Sequence, residues 1–224
     1  MPRFFEHTEI NELLRRTTVK VTSSHEVGSG ILYKPSQASP FVYILTARHV
    51  LLGENGLPED VSPNQVALKF LLNPNTNSYF EYQLQASDLI LVSDNPQEDF
   101  AALVVPSAAI EKLTGELPIL TLVRETHGLT NCLFRGFPEA YEAQEPIRME
   151  GTITESRKGS LHQFEWEVPQ SLADRWISNA SRTAYENVRG FSGSGVFLVI
   201  DDEAYLLGTV SKFGSFNQIG RAHV

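Results

Sequence analysis

Hydrophobic and polar positions repeat with helical spacing near the start of the chain and alternate over short stretches thereafter. Phe4, Phe5, Ile10, Leu13 and Leu14 fall near helical spacing, with Glu9, Glu12, Arg15 and Arg16 between them. This predicts a short helix ending before Thr17-Thr18, where β-branched residues begin. Val19/Val21 and Phe164/Trp166/Val168 alternate with polar neighbours, the period-2 pattern of half-buried strands. Enrichment in Val, Ile, Leu, Tyr, Phe and Thr, with Gly, Pro, Asn and Asp between, predicts strands at 18–23, 29–34, 41–46, 65–72, 79–92, 100–105 and 118–123. A second series is predicted at 130–136, 146–154, 163–168, 194–200 and 204–212. Many short strands at near-regular spacing suggest a sandwich or barrels. A second, shorter helix is expected at 107–114, and a division between the strand series falls near 107–129. Residues 171–189 read as a polar loop with a helical turn around Leu172 to Ile177. Long loops inside compact domains are often functional.

Composition narrows the function classes. The chain has 224 residues, enough for one large or two small domains. Its 18 basic and 27 acidic side chains give a net charge of −9. Phosphates would be repelled, so neither a nucleic acid nor an anionic membrane is expected as a partner. The longest apolar run, Phe100 to Val105, is six residues against the ~20 of a spanning helix. Glu6 and Glu9 stand where a secretory signal would need apolar residues. Cys132 is the single cysteine, so no disulfide forms within the chain. A reducing, cytoplasmic setting suits it, and Cys132 itself reads as a small buried hydrophobe on a strand. No His/Cys cluster has zinc spacing and no Gly-rich loop has Walker form, so no metal or cofactor is expected.

Three segments carry candidate chemistry. Thr46-Ala47-Arg48-His49 follows the apolar strand Phe41 to Leu45. Asp99 opens the apolar strand Phe100 to Val105. Gly190-Phe191-Ser192-Gly193-Ser194-Gly195 precedes the apolar run Val196 to Ile200. A serine hydroxyl is a poor nucleophile until a neutral imidazole takes its proton. A carboxylate on the other ring nitrogen fixes the tautomer and stabilises the imidazolium. Glycines beside the serine let backbone N–H groups reach a developing oxyanion. The order His, Asp, Ser, with separations of 50 and 93 residues, disfavours an α/β-hydrolase or a subtilisin-like enzyme. Ser194 is the runner-up nucleophile, since Gly190-x-Ser192-Gly193 fits better.

These motifs resemble the trypsin-like (chymotrypsin-fold) serine peptidases, of the bacterial cytosolic type. Thr46-Ala47-Arg48-His49 is similar to the family's T-A-x-H, Asp99 to Leu103 to its D-x-A-L segment, and Gly190 to Gly193 to its G-x-S-G loop. Gly208-Thr209-Val210-Ser211 resembles the strand lining the substrate cleft. Gly28 to Leu32 and Gly136-Phe137-Pro138 resemble segments of bacterial and protease-Do-type members. The resemblance spans about residues 18–216. It implies an all-β fold of two six-stranded antiparallel β-barrels. His49 would be the general base and acid, Asp99 the orienting carboxylate and Ser192 the nucleophile. The N–H groups of Gly190 and Ser192 would form the oxyanion hole. Ser211 would sit beside Asp99, and the backbone of Ser211, Lys212 and Phe213 would pair with an extended peptide substrate. Glu186 stands where the family often sets primary specificity, with Arg189 near enough to neutralise it.

Some residues depart from the family pattern. Phe191 replaces the acid that pairs with a new N-terminus in cleavage-activated members, so no activation of that type is expected. Phe213 stands where glycine is frequent and is expected to narrow the specificity pocket. The family's second barrel has six strands, whereas five are countable from residue 130 onward, so its last strand is expected to be lacking. The final residues, Ile219 to Val224, resemble a translated sequencing adapter and are expected to be a non-native tail of a chain that continues. The expected organisation is an N-terminal helix over 1–17, a first barrel over 18–112 and an incomplete second barrel over 113–218. The expected function is a serine endopeptidase, as the N-terminal protease module of a larger regulated protein whose C-terminal regulatory domain would be a partner. The alternative is a catalytically silent module that binds extended peptides.

Overall fold

A computed structural model describes residues 8–54, 56–73, 78–95, 98–123, 130–138, 146–156, 161–167, 189–201, 203–213 and 220–223. The chain opens with α1 (Thr8–Thr17), which turns Ile10 and Leu14 inward. Thr17 Oγ1 donates to the Leu13 carbonyl at 2.8 Å, so the helix takes in Thr17 rather than stopping before it.

The first sheet contains β1 (Thr18–Thr22), β2 (Val27–Tyr33), β3 (Phe41–Thr46), β4 (Ala67–Asn73), β5 (Ser78–Gln83), β6 (Leu89–Val92) and β7 (Ala101–Pro106). Their order is β5-β4-β1-β2-β3-β7-β6, and every pairing is antiparallel. This sheet has seven strand segments rather than the expected six, because the continuous strand predicted at 79–92 is broken. Asp88 causes the break: its Oδ2 accepts the Gln85 N–H at 2.8 Å and the Tyr82 hydroxyl at 3.0 Å. A carboxylate that caps its own turn draws the backbone out of the ladder. Two helices belong to this half, α2 (Arg48–Leu52) after β3 and α3 (Ser107–Thr114) after β7.

The second sheet contains β8 (Thr121–Leu122), β9 (Thr130–Gly136), β10 (Ile147–Ser156), β11 (Leu161–Glu167), β12 (Gly195–Ile200), β13 (Glu203–Phe213) and β14 (Gly220–His223). The order β12-β9-β10-β11-β14-β13 closes on itself through β12–β13, giving a six-stranded antiparallel barrel. This corrects the expectation of a missing last strand. Gly220–His223 pairs with Leu161–Phe164 on one side and Thr209–Phe213 on the other. The ladder uses backbone groups alone, so a segment without hydrophobic alternation fills the gap between two open edges. The strand predicted at 118–123 shortens to β8, which joins the outside of β13 in parallel.

Each half has its own apolar core. A third cluster joins them: Ile10 and Leu14 of α1, Ile31 of β2, Leu120, Leu133 of β9, Phe197 of β12 and Leu206 of β13. Full burial of such side chains contributes roughly 1.5–3 kcal/mol each. The helix is therefore an apolar strap across the seam between the two halves. Among the described residues, no helix is long and apolar enough to cross a membrane.

Candidate active site

Helix α2 places His49 one turn beyond β3, with Ala47 as its extended N-cap residue. The first N–H groups of a helix have no partner inside it. Asp99 supplies two: its carbonyl accepts the Arg48 N–H at 3.1 Å and its Oδ1 accepts the His49 N–H at 3.0 Å. The same carboxylate meets the His49 ring, with Nδ1 2.8 Å from Oδ2 and 3.0 Å from Oδ1. Asp99 is 7% exposed and has φ 43°, a left-handed conformation that aspartate tolerates better than most residues. A carboxylate only accepts, so the proton between them sits on Nδ1. Nε2 is then the ring nitrogen available to take a proton from a nucleophile.

The Gly190–Gly195 loop comes from the other half and lies against the same region. The Ser29 N–H of β2 donates to the Ser192 carbonyl at 2.8 Å, and the Ser29 hydroxyl donates to the Gly190 carbonyl at 2.6 Å. The Gly193 N–H donates to the Val210 carbonyl at 2.7 Å. Gly193 has φ 85°, and a Cβ there would stand 2.0 Å from the Ser29 carbonyl oxygen, 2.4 Å from Thr46 Oγ1 and 3.0 Å from the Ala47 nitrogen. Only glycine fits, and the loop therefore packs against the segment that leads into His49.

Ser192 is half-buried. Among the described residues its hydroxyl makes no hydrogen bond, so the bond to His49 that the resemblance implies is not formed here. The N–H groups of Gly190 and Ser192 likewise have no acceptor among the described residues. Native backbone donors in a buried loop are nearly always paired. An oxyanion hole needs backbone donors left free for the substrate oxygen, and the N–H groups of Gly190 and Ser192 meet that one condition.

Ser194, the other candidate nucleophile, is fully buried, and its Oγ has no hydrogen-bond partner among the described residues. A Cβ on Gly136 would come within 2.1 Å of that oxygen, so Ser194 faces the interior and not a cleft. Phe191 is also fully buried, edge-on to Phe134 with centroids 5.7 Å apart. An aromatic contact anchors the loop at the position where the resemblance places an acid in cleavage-activated trypsin-like enzymes.

Ser211 is 2% exposed and lies at a register shift between Val210 and Lys212 in the β13–β14 ladder. Bulges of this kind re-aim one side chain beside active sites. Lys212 and Phe213 continue β13 and pair with Arg221 and Gly220. Glu186 and the side chains of Lys212 and Phe213 lie outside the described residues. Among the described residues, no group of three or more His, Cys, Asp or Glu could hold a metal.

Sequence reasoning missed the role of Ser29. It stood out only as the middle of Gly28-Ser29-Gly30, yet it is fully buried and bonds through every polar group. Its carbonyl accepts the Thr46 hydroxyl at 2.7 Å, and its Oγ accepts the Phe137 N–H at 2.8 Å. A serine between two glycines on a buried strand was the available signal.

Solved structures share this architecture. The Rv3671c protease of M. tuberculosis, in an inactive form, is 16% identical with a TM-score of 0.57, over 96% of this chain and 86% of that one. Deg5 is 14% identical with a TM-score of 0.57, over 97% of this chain and 90% of that one. Human heparin binding protein is 13% identical with a TM-score of 0.59, over 95% of this chain and 87% of that one. No protein-family model and no curated protein sequence matches the chain. At these identities the likeness defines the fold: an all-β, chymotrypsin-like pair of barrels.

Proposed function

We propose that this chain is a serine endopeptidase module of the trypsin-like class. The observation that carries the reading is the Asp99 carboxylate on His49 Nδ1, near a serine whose own N–H and that of Gly190 have no acceptor among the described residues. In this mechanism His49 Nε2 takes the Ser192 proton as Oγ bonds to the substrate carbonyl carbon. Charge moves to the carbonyl oxygen, facing the N–H groups of Gly190 and Ser192; one such donor is worth about 10²- to 10³-fold in rate. The imidazolium then returns its proton to the leaving amine, the C–N bond breaks and an acyl-enzyme remains. Water, deprotonated by the same imidazole, releases the acid. The substrate is an extended peptide adding a strand along Ser211, Lys212 and Phe213, a mode supported by the extended course of β13 through these residues. A cytosolic site and regulation by a further domain belong to the same reading, on the composition and the family resemblance.

A fluorophosphonate probe tests this. Labelling of the wild type that disappears in S192A is the expected result. No labelling of the folded chain overturns it. The second reading is a silent module that binds extended peptides, favoured by the absence of a Ser192–His49 hydrogen bond among the described residues. Peptide binding without labelling would select it.

A further inference from the structure

The loop that carries the nucleophile has to hold two N–H groups on one point, yet it is built from the residues least able to hold a shape. Gly190 has φ 96° and Gly193 has φ 85°, and both can rotate without a Cβ penalty. Each peptide plane between 190 and 194 therefore needs a hydrogen bond to hold it. The 191–192 plane is held by the Ser194 N–H on the Phe191 carbonyl at 2.9 Å. The 192–193 plane is held on both sides, by the Ser29 N–H at 2.8 Å and the Val210 carbonyl at 2.7 Å. The 190–191 plane is held by the Ser29 hydroxyl, 2.6 Å from the Gly190 carbonyl.

We propose that Ser29 is a positioning residue whose hydroxyl locks the Gly190–Phe191 peptide and thereby aims the Gly190 N–H at the reacting carbonyl. The proposal rests on the peptidase reading above. A hydroxyl has one proton and two lone pairs. Ser29 Oγ already accepts the Phe137 N–H at 2.8 Å, and that fixes its own proton on the Gly190 carbonyl. Phe137 begins the segment after β9, so the hydroxyl ties a β2 residue of one half to two segments of the other. Gly190 is the pivot between the plane bearing its carbonyl and the plane bearing its N–H. Releasing the first lets the second swing, and a donor that wanders stabilises an oxyanion less than a fixed one.

The test uses the full chain and the variants S29A, S29T and S29C. NMR relaxation dispersion reads loop flipping on the μs–ms scale without needing activity. S29A is expected to introduce dispersion at Gly190 and Phe191, while His49 and Val50 stay quiet. With a peptide substrate, S29A is expected to lower kcat by about 10- to 100-fold with KM within about twofold, and to weaken a peptide aldehyde by a similar factor. S29T keeps the hydroxyl and should behave as wild type in the loop. S29C keeps the volume but is a weak donor, so it shows the same dispersion if S29A does not fold. A quiet loop in both S29A and S29C overturns the proposal. So does dispersion spread equally through the core, which would make Ser29 a packing residue. A wild type that never labels with a fluorophosphonate overturns the peptidase reading alone, and the dispersion arm still decides the role of Ser29.

Discussion

Asp99 grips His49 twice, at the backbone N–H (3.0 Å) and at ring Nδ1 (2.8 Å). The carboxylate therefore sets both where the imidazole sits and which nitrogen carries its proton. D99N would keep the first contact and tolerate φ 43°, but the new amide would donate to Nδ1 and move the ring proton to Nε2. D99N is expected to fold with nearly unchanged thermal stability and to lose about 10⁴-fold in kcat. Stopped-flow acylation and a melting curve check the two halves of this outcome. Retained activity would remove Asp99 from the proposed triad.

Gly193 and Gly115 share a left-handed φ, 85° and 76°, but differ in their surroundings. A Cβ on Gly193 would stand 2.0 Å from the Ser29 carbonyl oxygen, whereas nothing lies within 4 Å of one on Gly115. G115A should cost only the backbone term, about 1–3 kcal/mol, because φ 76° with ψ −162° is a region few residues other than glycine enter. G193A adds a clash with backbone that cannot move aside, so a loss about 1–3 kcal/mol larger than that of G115A is expected, with fluorophosphonate labelling abolished. Urea titration of both variants measures the difference. Equal costs would show that the loop does not pack against β2.

Ser194 offers the opposite sign. Its buried hydroxyl has no partner among the described residues, so removing it relieves a desolvation cost instead of breaking a bond. S194A is expected to be neutral or stabilising by up to about 1 kcal/mol, with fluorophosphonate labelling intact. Loss of labelling would return Ser194 to candidacy as nucleophile.

Much of this was readable from residue order, for physical reasons that differ by element. Val19, Val21, Ile44, Leu103 and Phe197 sit in apolar runs or alternations, and their strands formed where periodicity placed them. The helix at Ser107–Thr114 coincides with the predicted 107–114. The Asp99–His49 contact was legible because a carboxylate and an imidazole each stand beside an apolar strand, a pairing that nucleophile activation would use. Strand β14 was not, since ladder bonding between two open edges asks nothing of the side chains. The break at Asp88 was missed because a short polar residue inside an apolar stretch signals a turn only once its carboxylate is seen capping Gln85. Ser29 was hidden for a similar reason: the partners of its hydroxyl lie more than a hundred residues away, beyond any local pattern.

Cys132 ties core burial to alkaline stability. It lies 1% exposed on β9, and burial pushes its thiol from 9.0 up to about 12. The folded chain thus keeps this proton at pH values where the unfolded chain has released it. Stability from the neutral thiol is fully present below about pH 9 and is lost as pH rises from there towards about 12. Each unit in that window weakens folding by roughly 1.4 kcal/mol. Tyr82, raised to about 12 mainly by partial burial and then by its bond to Asp88, acts in the same direction over the upper part of the window. Chemical denaturation from pH 8 to 11 should therefore show a falling midpoint that C132V flattens and Y82F flattens less. Below pH 9 the thiol should resist iodoacetamide until the chain unfolds. A C132V profile that parallels wild type would show that the thiol is not buried in the β9 core, and rapid alkylation of the folded protein would say the same.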